Sequence, residues 1–379
     1  MHSLDGFARS KLAALEAGGL RRSLIRTRRL AGPWVERAGK TCLSFSCNDY
    51  LNLTHHPDVV AAARQAITDY GTGAGASRLV TGDHPLMEAL ETRLARFKGA
   101  EAACVFATGY AANTGTIPVF VGKGDRVLVD ARAHACIWAG AKLSDAEVLT
   151  YRHNDLDHLE SLLRQPATGA SLIITEGVFS MDGDRAPIGE IAALAGRYGA
   201  WLMTDDAHGV GVLAEGRGSN ALFPAARIDL QMGTLSKALA SSGGYVCGSK
   251  AAIDLIKTRA RSFVYSTGLP PASASAALAA LEVIEARPEL CALPLAKASL
   301  LTRAANLPEA ESAIVPIILG EPQTALDAQA ALEAEGFLVV AIRPPTVAAG
   351  TSRLRIAVTS GHPDADIERL GAALRKLAS

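Results

Sequence analysis

The sequence predicts an α/β protein: a mostly parallel central sheet covered by helices, a smaller C-terminal α+β domain and an N-terminal helical arm. Three observations carry this reading. Between about Asn48 and Thr267, short apolar runs alternate with longer amphipathic ones. Gly268-Leu269-Pro270-Pro271 punctuates the end of that alternation. Beyond it, two or three strand-like runs stand among helices, as in a small α+β unit. The expected division is an arm over 1–47, a large domain over 48–271 and a small domain over 272–379.

Each element follows from local pattern. Leu4, Phe7, Ala8, Leu12 and Leu15 share one helix face. Strands are expected at Ala103–Ala107, Arg126–Asp130, Ser171–Thr175, Trp201–Asp205, Leu230–Met232 and Tyr245–Gly248. Helical stretches such as Pro85–Phe97, Leu156–Arg164 and Ile188–Tyr198 lie between them. An Ala-rich helix over Ala272–Ala286 follows, then strand-like Ala313–Leu319 and a helix over Thr324–Glu335. Strands at Leu338–Ile342 and Arg353–Val358 and a helix over Asp364–Leu377 complete the chain.

Composition narrows the class of protein. Hydrophobic residues make up 49% and charged residues 20% of the 379, the balance of a protein with a large core. Lysine plus arginine and aspartate plus glutamate each number 38, so net charge gives no support for a nucleic acid or anionic membrane partner. Arg21, Arg22, Arg26, Arg28 and Arg29 cluster near the N-terminus, as a solvated arm or an anion site. The six cysteines form no CxxC pair, which fits a reducing cytosol. Residues 1–20 lack the continuous apolar core of a signal peptide, and no apolar run reaches the roughly 18 residues of a membrane span. A soluble, cytoplasmic protein is expected. No histidines or cysteines stand at metal-ligand spacing, so no metal is expected.

In parallel sheets, ligands sit beyond the carboxyl ends of the strands. Thr108-Gly109-Tyr110 leads from a strand into a helix and offers free backbone N–H groups to a phosphate. His134 follows the second strand, and Glu176 and Ser180 the next. Asp205-Asp206-Ala207-His208-Gly209 and Gly233-Thr234-Leu235-Ser236-Lys237 follow two more. Singly, each reads as a turn, a cap or a solvated charge. Together, five polar strand ends make a site. Pyridoxal 5′-phosphate (PLP) needs this set: a lysine to anchor it, an acid at its ring nitrogen and a cradle for its phosphate.

The motifs resemble those of the α-oxoamine synthases, within the PLP-dependent enzymes of aspartate-aminotransferase-like fold. Thr234-Leu235-Ser236-Lys237 followed by Gly243-Gly244 is similar to the family's cofactor-attachment motif, and Asp205–Gly209 to its ring-binding motif. Ser46-Cys47-Asn48-Asp49-Tyr50-Leu51 and Gly73-Ala74-Gly75-Ala76-Ser77-Arg78 resemble two further family segments, in the family's order.

The resemblance implies a PLP-dependent transferase fold and a C-acyl transfer with decarboxylation. It makes Lys237 the cofactor anchor and then the base, pairs Asp205 with the ring nitrogen and stacks His134 on the ring. Ser180, His208 and Thr234 would contact the cofactor, and Gly109 and Tyr110 would bind its phosphate. Ser266 or Thr267 would reach the phosphate of a partner subunit, making a homodimer with a shared active site. Asn48 and Arg355 would hold the amino-acid carboxylate. Thr346 and either Arg21 or Arg22 would also contact substrate.

The run Ala341–Val347 and then Gly350–Arg355 resembles the branch that condenses L-alanine with a pimeloyl thioester in biotin biosynthesis. The acyl donor is pimeloyl-CoA or a pimeloyl carrier protein. Ser77 leaves room for alanine's methyl group, a difference of about 1–3 kcal/mol. The alternative within the family joins glycine to acetyl-CoA. A non-catalytic PLP-binding subunit is disfavoured because both Lys237 and Asp205 are present.

Overall fold

The computed structural model describes residues 3–378. The described residues divide into two compact units, 49–180 with 184–294 and 3–48 with 181–183 and 295–378.

The larger unit is built on seven strands: β1 (Ala102–Phe106), β2 (Arg126–Asp130), β3 (Glu147–Tyr151), β4 (Ser171–Glu176), β5 (Trp201–Asp205), β6 (Leu230–Thr234) and β7 (Gly244–Gly248). Their order is β1-β7-β6-β5-β4-β2-β3. The pairs from β6 through β3 are parallel, and β7 alone runs antiparallel to both its neighbours. β3 escaped the sequence reading. Its burial is partial along most of its length, as befits an edge, so it lacks the apolar run that marks the inner strands.

Alternate residues of each inner strand feed opposite faces. Val127, Val129, Leu172, Ile174 and Met203 pack with the helices Gly109–Phe120, Ala135–Leu143 and Lys250–Arg259. Leu128, Ile173 and Leu202 pack on the other side with Leu156–Leu163 and Ile188–Tyr198. Burial on both faces explains why these strands read as continuous apolar runs.

The helix Pro271–Ala286 belongs to the larger unit, where it packs against the helix Pro57–Tyr70. Its small alanines are buried along much of its length. The contact-defined division therefore lies near residue 295, whereas the Gly-Leu-Pro-Pro punctuation suggested 272.

The smaller unit combines both ends of the chain. An antiparallel run Thr27–Arg29, Trp34–Arg37 and Lys40–Ser44 is extended by Phe337–Leu338, which pairs parallel to the last of these. A three-stranded antiparallel sheet joins Ile314–Gly320, Ser352–Ala357 and Val340–Ile342. The single strand expected at Leu338–Ile342 thus splits between two sheets. One core links them, with Leu43 and Phe45 packed among Leu301, Leu332, Leu354 and Ile356. The helix Leu4–Ala17 buries none of its residues.

Candidate active site

The pocket lies at the carboxyl ends of the parallel strands, with Gly109, His134, Asp205, His208 and Lys237 among its lining residues. One end of the pocket is made by backbone. Thr108 caps the helix Gly109–Phe120, its hydroxyl accepting from Ala111 N–H at 3.0 Å while its carbonyl accepts from Ala112. This leaves the N–H groups of Gly109 and Tyr110 without a partner among the described residues, at the positive end of a helix dipole. Gly244 makes the turn possible. A Cβ on it would lie 2.5 Å from Gly109 Cα.

At the other end, two adjacent aspartates do different work. Asp205 ends β5 and is 4% exposed; Asn113 Nδ2 donates to its Oδ2 at 2.7 Å, and Ala207 N–H to its Oδ1 at 3.0 Å. Asp206 is fully buried and accepts from Lys98 Nζ at 3.1 Å and from Ser219 N–H. Asp205 faces the pocket and Asp206 serves the scaffold. His208 is buried, its Nδ1 2.7 Å from the hydroxyl of fully buried Tyr50.

Lys237 is half-buried in the loop after β6. The hydroxyl of Thr234, the last residue of β6, donates to Gly243 O at 2.9 Å and lies 2.8 Å from Ser236 Oγ. Thr234 therefore shapes the turn that presents the lysine, and Ser236 lines the pocket beside it.

His134 caps the helix Ala135–Leu143 through Nδ1, which accepts from Cys136 N–H at 3.3 Å and lies 2.8 Å from Cys136 Sγ. Desolvation holds this imidazole below its ordinary value, with Asp205 opposing and Lys237 adding to the effect. Burial, reinforced by Asp205, pushes the Glu176 carboxyl well above the carboxylate range. Glu176 Oε1 accepts from His134 N–H at 2.6 Å, and the backbone of Ser180 also hydrogen-bonds this carboxyl.

The smaller unit holds the other expected residues. Arg355, 7% exposed, donates to Asn48 Oδ1 at 3.2 Å. Arg22 donates to Thr346 Oγ1 at 2.7 Å, while Arg21 turns to Glu16 at 2.5 Å. The structure thus separates the two arginines that sequence spacing left equivalent. In the larger unit, Thr267 pairs with Ser77 in an isolated bridge and, like Ser266, is not among the residues lining the Lys237 pocket of its own chain.

Four contributors had no role assigned from sequence: Asn113, Glu176, Cys136 and Tyr50. Glu176 and Tyr50 lay in segments already singled out, but without a partner to give them a role. Asn113 offered one weak signal, an amide side chain in a mainly apolar helix that also carries Thr114 and Thr116. No group of three or more histidine, cysteine or acidic side chains among the described residues is placed to hold a metal. No helix among them is long and apolar enough to cross a membrane.

The donor set fits PLP: two backbone amides at a helix start, a buried carboxylate and a lysine in one pocket. The sequence profile of the aminotransferase class I and II family matches residues 40–374. An 8-amino-7-oxononanoate synthase of Methylobacterium radiotolerans is 57% identical over 379 residues, covering 100% of this chain and 99% of that protein. The chain belongs to the 8-amino-7-oxononanoate synthase family. A second member, from Methylobacterium nodulans, is also 57% identical over 379 residues, covering 100% and 98%. Among solved structures, the 8-amino-7-oxononanoate synthase of Francisella tularensis matches with a TM-score of 0.78 at 26% identity, covering 89% of this chain and 98% of that one. A serine palmitoyltransferase from S. paucimobilis, solved with a PLP–myriocin adduct, matches with a TM-score of 0.93 at 29% identity, covering 100% and 98%. As a member of the 8-amino-7-oxononanoate synthase family, the chain is a PLP-dependent acyltransferase.

Proposed function

We propose that this protein condenses L-alanine with a pimeloyl thioester, on CoA or on a carrier protein, releasing CO2, the thiol and 8-amino-7-oxononanoate. The observation that carries the reading is the convergence of Lys237, Asp205 and the Gly109–Tyr110 amides in one pocket. Bound PLP supplies a sink for the negative charge that develops at the amino acid's α-carbon.

The protein's residues do the rest. Gly109 and Tyr110 N–H groups bind the phosphate and fix the cofactor's position. Asp205, oriented by Asn113, holds a proton on the ring nitrogen. His208, steadied by Tyr50, would contact the cofactor's phenolic oxygen, and Ser180 and Thr234 would complete the cofactor's surroundings. His134, which lines the same pocket, would cover the ring face. Lys237 anchors the cofactor, then removes the proton at Cα and returns one after CO2 is lost. Arg355 with Asn48 takes the amino-acid carboxylate, and Arg22 with Thr346 contacts substrate. The functional unit is a homodimer in which Ser266 or Thr267 serves the partner's phosphate.

Mass spectrometry of products tests this, with PLP, one of alanine, glycine or serine, and acyl-CoA thioesters of graded length. Alanine with the pimeloyl donor is expected to give the largest turnover. Preference for glycine with acetyl-CoA would replace the assignment. Lys237→Ala should abolish turnover and the visible band of the lysine-linked cofactor, and undiminished turnover would remove Lys237 from the mechanism.

A further inference from the structure

The loop after β2 carries His134, and the loop after β4 carries Ser180. Between them lies Glu176, the last residue of β4 and only 2% exposed. Its Oε1 accepts from the backbone N–H of His134 at 2.6 Å, and the Ser180 backbone bonds the same carboxyl. It also lines the pocket. A carboxyl at this depth normally requires compensation, and here the two loop backbones provide it.

We infer that Glu176 is a positioning residue that ties the His134 and Ser180 loops into one platform for the cofactor. The inference rests on the PLP reading of the pocket. It acts through main-chain groups, so neither loop side chain reveals it. Glu176 sits beside Asp205, and burial with that neighbour favours its neutral form. A glutamine is therefore a near-isosteric substitute that keeps the acceptor oxygen.

The outer ends of the same two loops are fixed separately. His153 lies 2.9 Å from Asp130 Oδ1 at the end of β2 and 2.6 Å from Asp184 Oδ2 in the second loop. Loss of Glu176 should then loosen the pocket side of the platform without unfolding the sheet beneath it.

The test compares wild type, Glu176→Gln and Glu176→Ala for PLP dissociation constant and for the visible circular dichroism of bound cofactor. The dichroism reports ring orientation, which a purely structural role elsewhere would leave unchanged. Glu176→Ala is expected to bind PLP about tenfold more weakly with a diminished band, and Glu176→Gln to restore both to within about threefold, the scale of one buried hydrogen bond. A folded Glu176→Ala with wild-type affinity and dichroism overturns the inference, as does a glutamine variant no better than alanine. If the alanine variant does not fold, hydrogen exchange in the wild-type holoenzyme decides. Slow exchange in peptides spanning 132–136 and 178–182 supports the clip, and fast exchange overturns it. Failure of the wild type to bind PLP would overturn the pocket assignment itself, an outcome distinct from all of these.

Discussion

Asn113 Nδ2 donates to Asp205 Oδ2 across 2.7 Å, linking the helix that starts at Gly109 to the acid on the far side of the pocket. The same amide lies 3.0 Å from Cys136 Sγ, so one buried asparagine touches two elements of the site. Asn113→Ala removes a hydrogen bond to a charged acceptor, worth about 1.5–3 kcal/mol. PLP affinity should fall roughly 10- to 100-fold, measured by equilibrium dialysis, with the secondary structure retained.

Tyr50→Phe keeps the buried ring and deletes the hydroxyl 2.7 Å from His208 Nδ1. The loss is about 1 kcal/mol of orientation at one neutral hydrogen bond. A fall in kcat of roughly fivefold is expected, with thermal stability nearly unchanged. Steady-state kinetics beside a melting curve checks both halves.

Gly244→Ala places a Cβ 2.5 Å from Gly109 Cα. The phosphate turn must shift, at a cost of about 1–3 kcal/mol. PLP binding should weaken by about tenfold or more, whereas Gly196→Ala, where the added Cβ meets nothing within 4 Å, should leave affinity intact.

Arg22→Ala and Arg21→Ala separate two neighbours. Arg22 reaches Thr346, while Arg21 pairs with Glu16 on the exposed surface. A rise in KM for substrate is expected from Arg22→Ala alone. Equal effects from both variants would return the pair to equivalence.

His153 gives a pH dependence of stability. Burial lowers its pKa, but hydrogen bonds donated by the ring to Asp130 and Asp184 outweigh this and raise it from 6.5 to about 9. The folded pKa is the higher one, so the stabilisation is fully present below about pH 6.5 and is lost as pH rises through about 9. Allowing for partial solvent screening, its size is roughly 1–2 kcal/mol. The melting temperature difference between wild type and His153→Gln should shrink between pH 6.5 and pH 10. A constant difference over that range would contradict the assignment.

Much of the fold was legible because inner parallel strands are buried on both faces and so are written as apolar runs. The strand Glu147–Tyr151 was not, since an edge strand needs no such run. The boundary near residue 295 was hidden because an Ala-rich helix packs equally well on either side of a proline turn; only its contact with Pro57–Tyr70 assigns it.

For the site, the sequence by itself determined the residue types at the strand ends: Lys237, Asp205, His208, His134 and the Gly109–Tyr110 turn. Their chemistry is local, carried by a functional group and a nearby strand or helix terminus. Tertiary structure alone decided the pairing of Asp206 with Lys98, the pairing of Arg22 with Thr346, and the supports that Asn113, Tyr50 and Glu176 provide. Those roles belong to pairs far apart along the chain, and a hydrogen bond between distant residues leaves no periodicity or spacing for a single sequence to display.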